Sequence, residues 1–152
     1  MIKILFVCLG NICRSPMAEF IMKKMTSENG LDSQIYVESA GTSSEEVGNP
    51  VYYLAKSKLE ENGIDCSGKN ARKFVSSDYD KFDYIVAMEE RNVRDILKIC
   101  GQDDMNKVSR LLDFTDNHKD IDDPWYTRDF NKAYDEIYKG CEALLKYIVQ
   151  KK

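Results

Sequence analysis

One short segment near the N-terminus, Cys8-Leu9-Gly10-Asn11-Ile12-Cys13-Arg14-Ser15, combines a nucleophile, a cation and permissive backbone. Together these residues can trap an oxyanion. Backbone N–H groups at the start of a helix lack internal partners and attract negative charge. Gly10 and Asn11 tolerate left-handed conformations better than most residues, so successive amides there can converge on one point. Arg14 adds a planar fork able to hold two phosphate oxygens at once. The same field favours a thiolate at Cys8, the form of cysteine that attacks. The G-x-x-x-x-G-K-[ST] pattern of nucleotide-binding loops is absent. A plainer reading makes Cys8 a buried strand-end thiol and Arg14 a solvated helix residue. The position of the segment, between a strand and a helix, argues against it.

The elements around it follow from hydrophobic periodicity. Residues 2–8 form a nearly continuous apolar run, as in a buried parallel strand. Ser15-Pro16 then reads as an N-cap and a first-turn proline, with Met17, Ile21 and Met25 on one face of the helix. A second strand is expected over 34–39, ending at Ala40-Gly41. Asn49-Pro50 opens a second helix, with Val51, Leu54, Ala55 and Leu59 inward and Gly63 as its stop. The third strand is expected over 82–88. Glu89 and Glu90 suit the N-terminus of the next helix. Val93, Ile96, Leu97 and Cys100 form its apolar stripe, and Gly101 ends it. Residues 108–112 read as a weaker edge strand. From Phe130 through Tyr138 to Ile148, apolar residues keep helical spacing for about five turns.

Alternating strands and helices imply an α/β fold, here a single domain over 1–152. The expected architecture is a three-layer sandwich: a four-stranded parallel sheet in order 2-1-3-4 with helices on both faces. Ligands bind such sheets beyond the carboxyl ends of the strands, where strand order reverses. That is the loop after strand one, which begins at Cys8.

Composition narrows the function classes. A chain of 152 residues with 43% hydrophobic and 32% charged residues is an ordinary globule. No apolar run reaches the roughly 20 residues that cross a bilayer, and the N-terminus lacks a small-residue cleavage site. No membrane partner is expected. The odd count of five cysteines points to reduced thiols and a cytoplasmic setting. With no C-x-x-C pair and His118 the only histidine, neither metal nor other cofactor is expected. The net charge of −4 gives no support for nucleic-acid binding. An anionic ligand must therefore be captured by local geometry.

The segment from Val7 to Glu19, Val-Cys-Leu-Gly-Asn-Ile-Cys-Arg-Ser-Pro-Met-Ala-Glu, resembles the signature of the low-molecular-weight protein-tyrosine phosphatases. Collinear matches follow at Ser39-Ala40-Gly41-Thr42, Asn62-Gly63-Ile64, Phe82-Asp83-Tyr84 and Asp123-Pro124-Trp125-Tyr126. The resemblance implies hydrolysis of phosphotyrosine and small aryl phosphates through a cysteinyl-phosphate intermediate. Cys8 would attack phosphorus, and the loop amides with Arg14 would stabilise the equatorial oxygens. A leaving phenolate needs a proton, and Asp123 is the chosen acid because the following proline restricts its backbone. Asp122 and Asp120 are the alternatives. The resemblance further implies that Ser15 donates to the Cys8 sulfur and that Asn11 bonds Ser39, while Glu19 reads either as a member of that buried network or as part of a solvated helix face. It gives Cys13 the role of protecting Cys8 through a reversible disulfide. Cys66, Cys100 and Cys141 read as structural.

Ile12, Trp125 and Tyr126 should line the substrate cleft, where aromatic walls suit a phenyl ring. Phosphoarginine-specific relatives tend to carry threonine at the position of Ile12, so isoleucine favours phosphotyrosine. Arsenate reductases that share the loop need two further cysteines close together, and Cys66 and Cys100 are too far apart in sequence. A non-catalytic phosphate-binding module would need neither thiolate nor acid. Many family members carry a histidine near Lys69. Its absence leaves that part of the network open, and Lys69, Arg72 and Lys73 read as a solvated face. The expected partners are tyrosine-phosphorylated proteins, with phosphate as product and inhibitor, acting on a monomer.

Overall fold

The most apolar strand takes the centre of the sheet. In the computed structural model, which describes residues 1–151, β1 (Ile2–Cys8) lies between β2 (Ile35–Gly41) and β3 (Tyr84–Ala87). β4 (Val108–Arg110) completes a four-stranded parallel sheet in the order β2-β1-β3-β4. The expected order and the all-parallel pairing are both present. Residues 4–7 of β1 are fully buried, as a central strand covered on both faces requires.

Alternation along β1 divides two hydrophobic clusters. Ile4, Phe6 and Cys8 join the larger one, with α1 (Arg14–Glu28), α2 (Tyr53–Glu61) and α6 (Phe130–Lys151). Leu5 and Val7 face the smaller one, which includes Phe74, Phe82 and Ile96. Phe82 follows the short α3 (Asp78–Lys81), and Ile96 belongs to α4 (Glu90–Cys100). Cys8 thus points to the face where α1 begins. In α6, Ala133, Ile137, Cys141, Leu144 and Ile148 are buried at the spacing read from the sequence. Gly140 is required there by close approach, because a Cβ would lie 2.5 Å from Cγ of Leu111.

Several boundaries differ from the sequence reading, each for a local reason. The second helix begins at Tyr53 and not at Asn49-Pro50, because Pro50 bridges Asn70 and the Tyr52 N–H donates to Ile12 O (2.9 Å). β4 stops at Arg110, and Leu111–Phe114 turn into a 3₁₀ helix that packs on α6. β3 is shorter than expected, although the Met88 N–H still donates to Val7 O. Ser15 is not an N-cap. α1 starts at Arg14 with no side-chain cap, because the Ser15 hydroxyl turns back toward Cys8. Tyr138 lies on the exposed side of α6 and not in its apolar stripe.

Candidate active site

The phosphate loop is held from beneath by one asparagine. Asn11 has φ of 60°, in the left-handed region that asparagine tolerates better than most side chains. That turn points its backbone N–H at Cys8 Sγ (3.3 Å). Its buried side chain donates to Ser15 Oγ (2.8 Å) and Ser39 Oγ (2.9 Å), and accepts from the Arg72 N–H (3.0 Å). Ser15 Oγ lies 2.9 Å from Cys8 Sγ and 3.4 Å from Ala40 O. Ser15 Oγ accepts from Asn11, and of the two acceptors within reach of its single proton the sulfur is the nearer.

The end of β2 closes the loop from the side. The Thr42 N–H donates to Cys8 O and the Ser43 N–H to Leu9 O, both at 2.9 Å. Gly41 must be glycine at this crossing, because a Cβ would meet Leu9 O at 2.7 Å and Asn11 Cβ at 3.2 Å. Ser39 continues the network by donating to Glu19 Oε1 (2.5 Å). Lys69 is not part of a solvated face: its ammonium donates to Ser39 O (2.9 Å) and pairs with Glu19 (3.3 Å). A buried carboxylate needs compensating charge, and Lys69 and Lys23 supply it. Arg72 is half-buried, pairing with Glu38 and Asp78 while its backbone holds Asn11. Lys73 alone of the three is solvated.

Arg14 is 2% exposed, so its charge survives only through its partners. Nη1 donates to Glu89 Oε2 (2.9 Å) and Ile121 O (2.7 Å). Nη2 lies 3.5 Å from Asp123 Oδ2. Burial opposes the charge, but Cys8, Asp123 and Glu89 outweigh it and raise the Arg14 pKa above its ordinary value. Two partners occupy Nη1, so the guanidinium plane is fixed and its Nη2 side is turned to the cleft.

Asp123 caps the four-residue α5 (Pro124–Thr127) by accepting from the Trp125 N–H (3.0 Å) through Oδ1. Its Oδ2 faces Arg14. Asp122 pairs with Lys132 (3.2 Å), and Asp120 with Arg110 (3.0 Å) and the Glu90 N–H (2.9 Å). Neither lines the cleft. Cys8, Leu9, Gly10, Ile12, Cys13, Arg14, Asp123, Trp125 and Tyr126 do, around a volume of about 150 Å³. Trp125 is 42% exposed and so forms a wall and not a core residue. Cys13 is buried, and burial first, then Cys8 and Asp123, push its thiol far above the ordinary range. Among the described residues, no group of three or more histidine, cysteine, aspartate or glutamate side chains could hold a metal ion.

Sequence reasoning missed Glu89 as the partner of Arg14, and missed Ser43, Glu45 and Glu46 in the cleft wall. Glu89 was legible in principle. In a parallel sheet, the residue just past β3 must stand beside the loop just past β1. No local pattern marks the other three.

Comparison with known proteins agrees with this geometry. The sequence model of the low molecular weight phosphotyrosine protein phosphatase family matches residues 3–152. The low molecular weight protein-tyrosine-phosphatase YfkJ of Bacillus subtilis is 40% identical, over 100% of this chain and 99% of that one. Its crystal structure superposes with a TM-score of 0.97, covering 100% of this chain and 97% of that one. A low molecular weight phosphotyrosine protein phosphatase of Gallus gallus is 36% identical, over 95% of this chain and 94% of that one. The crystal structure of a Drosophila arginine phosphatase is 31% identical, with a TM-score of 0.88, over 97% and 98% of the two chains. With the signature loop, the sheet order and near-complete coverage in agreement, this chain belongs to the low molecular weight phosphotyrosine protein phosphatase family.

Proposed function

We propose that this chain hydrolyses phosphotyrosine in proteins, together with small aryl phosphates, through a phosphocysteine on Cys8. The observation that carries the reading is the meeting of Cys8, Arg14 and Asp123 in one cleft with an aromatic wall. In the first step, the Cys8 thiolate attacks phosphorus opposite the ester oxygen. The loop amides and the Nη2 side of Arg14 stabilise the equatorial oxygens. Protonated Asp123 gives its proton to the departing phenolate. In the second step, the Asp123 carboxylate takes a proton from the water that attacks phosphocysteine. Phosphate leaves and the thiolate returns, steadied by the Ser15 hydroxyl at 2.9 Å.

The slot between Ile12 and Trp125 favours an aryl ester, which reaches the sulfur and stacks on the way in. Ile12 argues for phosphotyrosine over phosphoarginine, although an arginine phosphatase shares the fold. An arsenate reductase is disfavoured because Cys66 packs in the larger hydrophobic cluster and Cys100 against the smaller one. A module that only binds phosphate has no use for a thiolate beside an acid. The reading takes 1–152 as one domain, acting as a monomer in the cytoplasm and inhibited by its product phosphate. No helix among the described residues is long and apolar enough to cross a membrane.

A rapid-quench experiment with phosphotyrosine peptide and phosphoarginine peptide in parallel tests the proposal. Phosphate should be trapped on Cys8 from the phosphotyrosine peptide, while Cys8→Ser should bind phosphate without turnover. Faster cleavage of phosphoarginine would move the assignment to an arginine phosphatase. Substantial hydrolysis by Cys8→Ser would remove the nucleophile from the scheme.

A further inference from the structure

The acid loop is gripped at both ends by arginines, and only one of them belongs to the phosphate site. Arg14 holds its beginning through Ile121 O and Asp123. At its other end stands Arg128, with φ of 61° and ψ of 13°. That left-handed conformation is rare for a residue with a long side chain, so the surroundings must stabilise it. Its N–H donates to Pro124 O (2.9 Å), which ends α5. Its guanidinium donates from Nη1 to Trp125 O (3.2 Å) and from Nη2 to Tyr52 Oη (2.7 Å). The same group lies 5.4, 5.9 and 5.8 Å from the ring centres of Tyr52, Trp125 and Phe130.

Tyr52 is the reason these contacts matter. Its backbone N–H donates to Ile12 O (2.9 Å), inside the phosphate loop. Its ring meets the Trp125 ring edge-on at 4.7 Å. A continuous path therefore runs from Ile12 through Tyr52 and Arg128 to the backbone of Trp125. We propose that Arg128 and Tyr52 form a clamp that sets the acid loop against the phosphate loop. Arg128 is thereby a positioning residue for Asp123 and Trp125. A helix of four residues has little cohesion of its own, and Trp125 and Tyr126 are both exposed. Without the clamp, the far end keeps its continuation into α6 but loses its hydrogen-bonded tie to the phosphate loop. Arginine suits the task because its planar fork donates in two directions while its face stacks on rings, which lysine cannot reproduce.

The clamp's effect on rate rests on the assignment of Asp123 as acid, whereas its effect on Trp125 does not. Trp125 is the only tryptophan in the chain, so its fluorescence reports this loop alone. Arg128→Ala, Arg128→Lys and Tyr52→Phe are compared by acrylamide quenching and by kcat/KM over aryl phosphates with acidic to basic leaving phenols. In Arg128→Ala, quenching should rise. Its kcat/KM should fall about tenfold on phenyl phosphate, less than the roughly hundredfold cost of a full ångström of misplacement. On a dinitrophenyl phosphate, whose leaving group needs no proton, the loss should be about twofold or less. Arg128→Lys should not restore either property, and Tyr52→Phe should show part of both. The double variant should be no worse than Arg128→Ala alone. Unchanged quenching in both Arg128→Ala and Tyr52→Phe overturns the clamp, as does an equal loss on every substrate. If quenching rises while the leaving-group dependence of Asp123→Ala itself matches the wild type, the clamp stands and the acid assignment falls.

Discussion

The two loops that face each other across the cleft are built in opposite ways. In the phosphate loop, Asn11, Arg14 and Ser15 are 1%, 2% and 0% exposed, and each polar side chain is bonded to another part of the fold. In the acid loop, Trp125 and Tyr126 are 42% and 76% exposed, and the anchors are two arginines at its ends. The first loop must offer fixed donors to the phosphoryl group, and preorganised donors stabilise a transition state without reorganising at the moment of reaction. The second must admit an aryl group and bring one proton to it. A buried polar network fails as a unit once one member is lost, because the remaining groups stay buried without partners. A surface loop can shift alone. The contrast predicts different failures on the two sides.

Among changes that leave the Cys8 nucleophile in place, the largest effect should come from the acid side, and it should be selective. Asp123→Ala should lower kcat/KM on phenyl phosphate by about 100- to 10,000-fold, the usual range for a general acid. The loss should shrink for substrates with very acidic leaving phenols, and phosphate binding should persist. A series of aryl phosphates measured on the purified variant decides this. A larger loss in Asp120→Ala or Asp122→Ala would break the comparison by moving the acid elsewhere.

A smaller but indiscriminate effect is expected on the other side from Gly41→Ala. The added methyl would press on Leu9 O at 2.7 Å, so the loop backbone must move. Displacement of catalytic donors by an ångström costs up to about 100-fold, and here every substrate should lose the same factor, whatever its leaving group. Phosphate affinity, read as product inhibition, should weaken in parallel. A loss confined to basic leaving groups would show that the two loops are not independent in the way their construction suggests.

Much of this division could be read from the chain before any coordinates. The run from Ile2 to Cys8, the Cys-x₅-Arg spacing and the regular stripe of α6 each carry a strong local signal. The topology then follows from the handedness of parallel connections. What escaped depends on contacts between distant segments. Ser15 looks like an N-cap because serine before proline usually is one, yet its hydroxyl is taken by Cys8. Lys69 looks solvated because lysine usually is, yet Glu19 and Ser39 draw it inward. Arg128 had no signal at all, since its left-handed backbone and its bond to Tyr52 exist only in the folded chain.

The smallest effect joins the two loops through Cys13. Peroxide converts the Cys8 thiolate to sulfenic acid, and attack by Cys13 sulfur on that sulfur gives the Cys8–Cys13 disulfide and water. The attacking species is the Cys13 thiolate. Burial above all raises the Cys13 pKa, as does the Asp123 carboxylate, while Arg14 and Arg128 lower it; the Cys8 charge, which adds to the rise in the reduced protein, is gone once Cys8 is a sulfenic acid. A raised pKa means that the thiol form dominates throughout the neutral range, and the thiolate fraction grows with pH. Disulfide closure should therefore speed up by about tenfold per pH unit between pH 6 and 8, with no plateau. Asp123→Asn removes one of the charges that disfavour the thiolate, so closure should be a few-fold faster at any given pH. Arg128→Ala should shift it the other way. Timed quenching with an alkylating agent, followed by mass spectrometry of non-reduced peptides, measures the rate. A rate independent of pH would mean that Cys13 is already a thiolate or is not the attacking group. Equal rates in the Asp123 and Arg128 variants would show that the acid loop's charges do not reach the thiol beneath it.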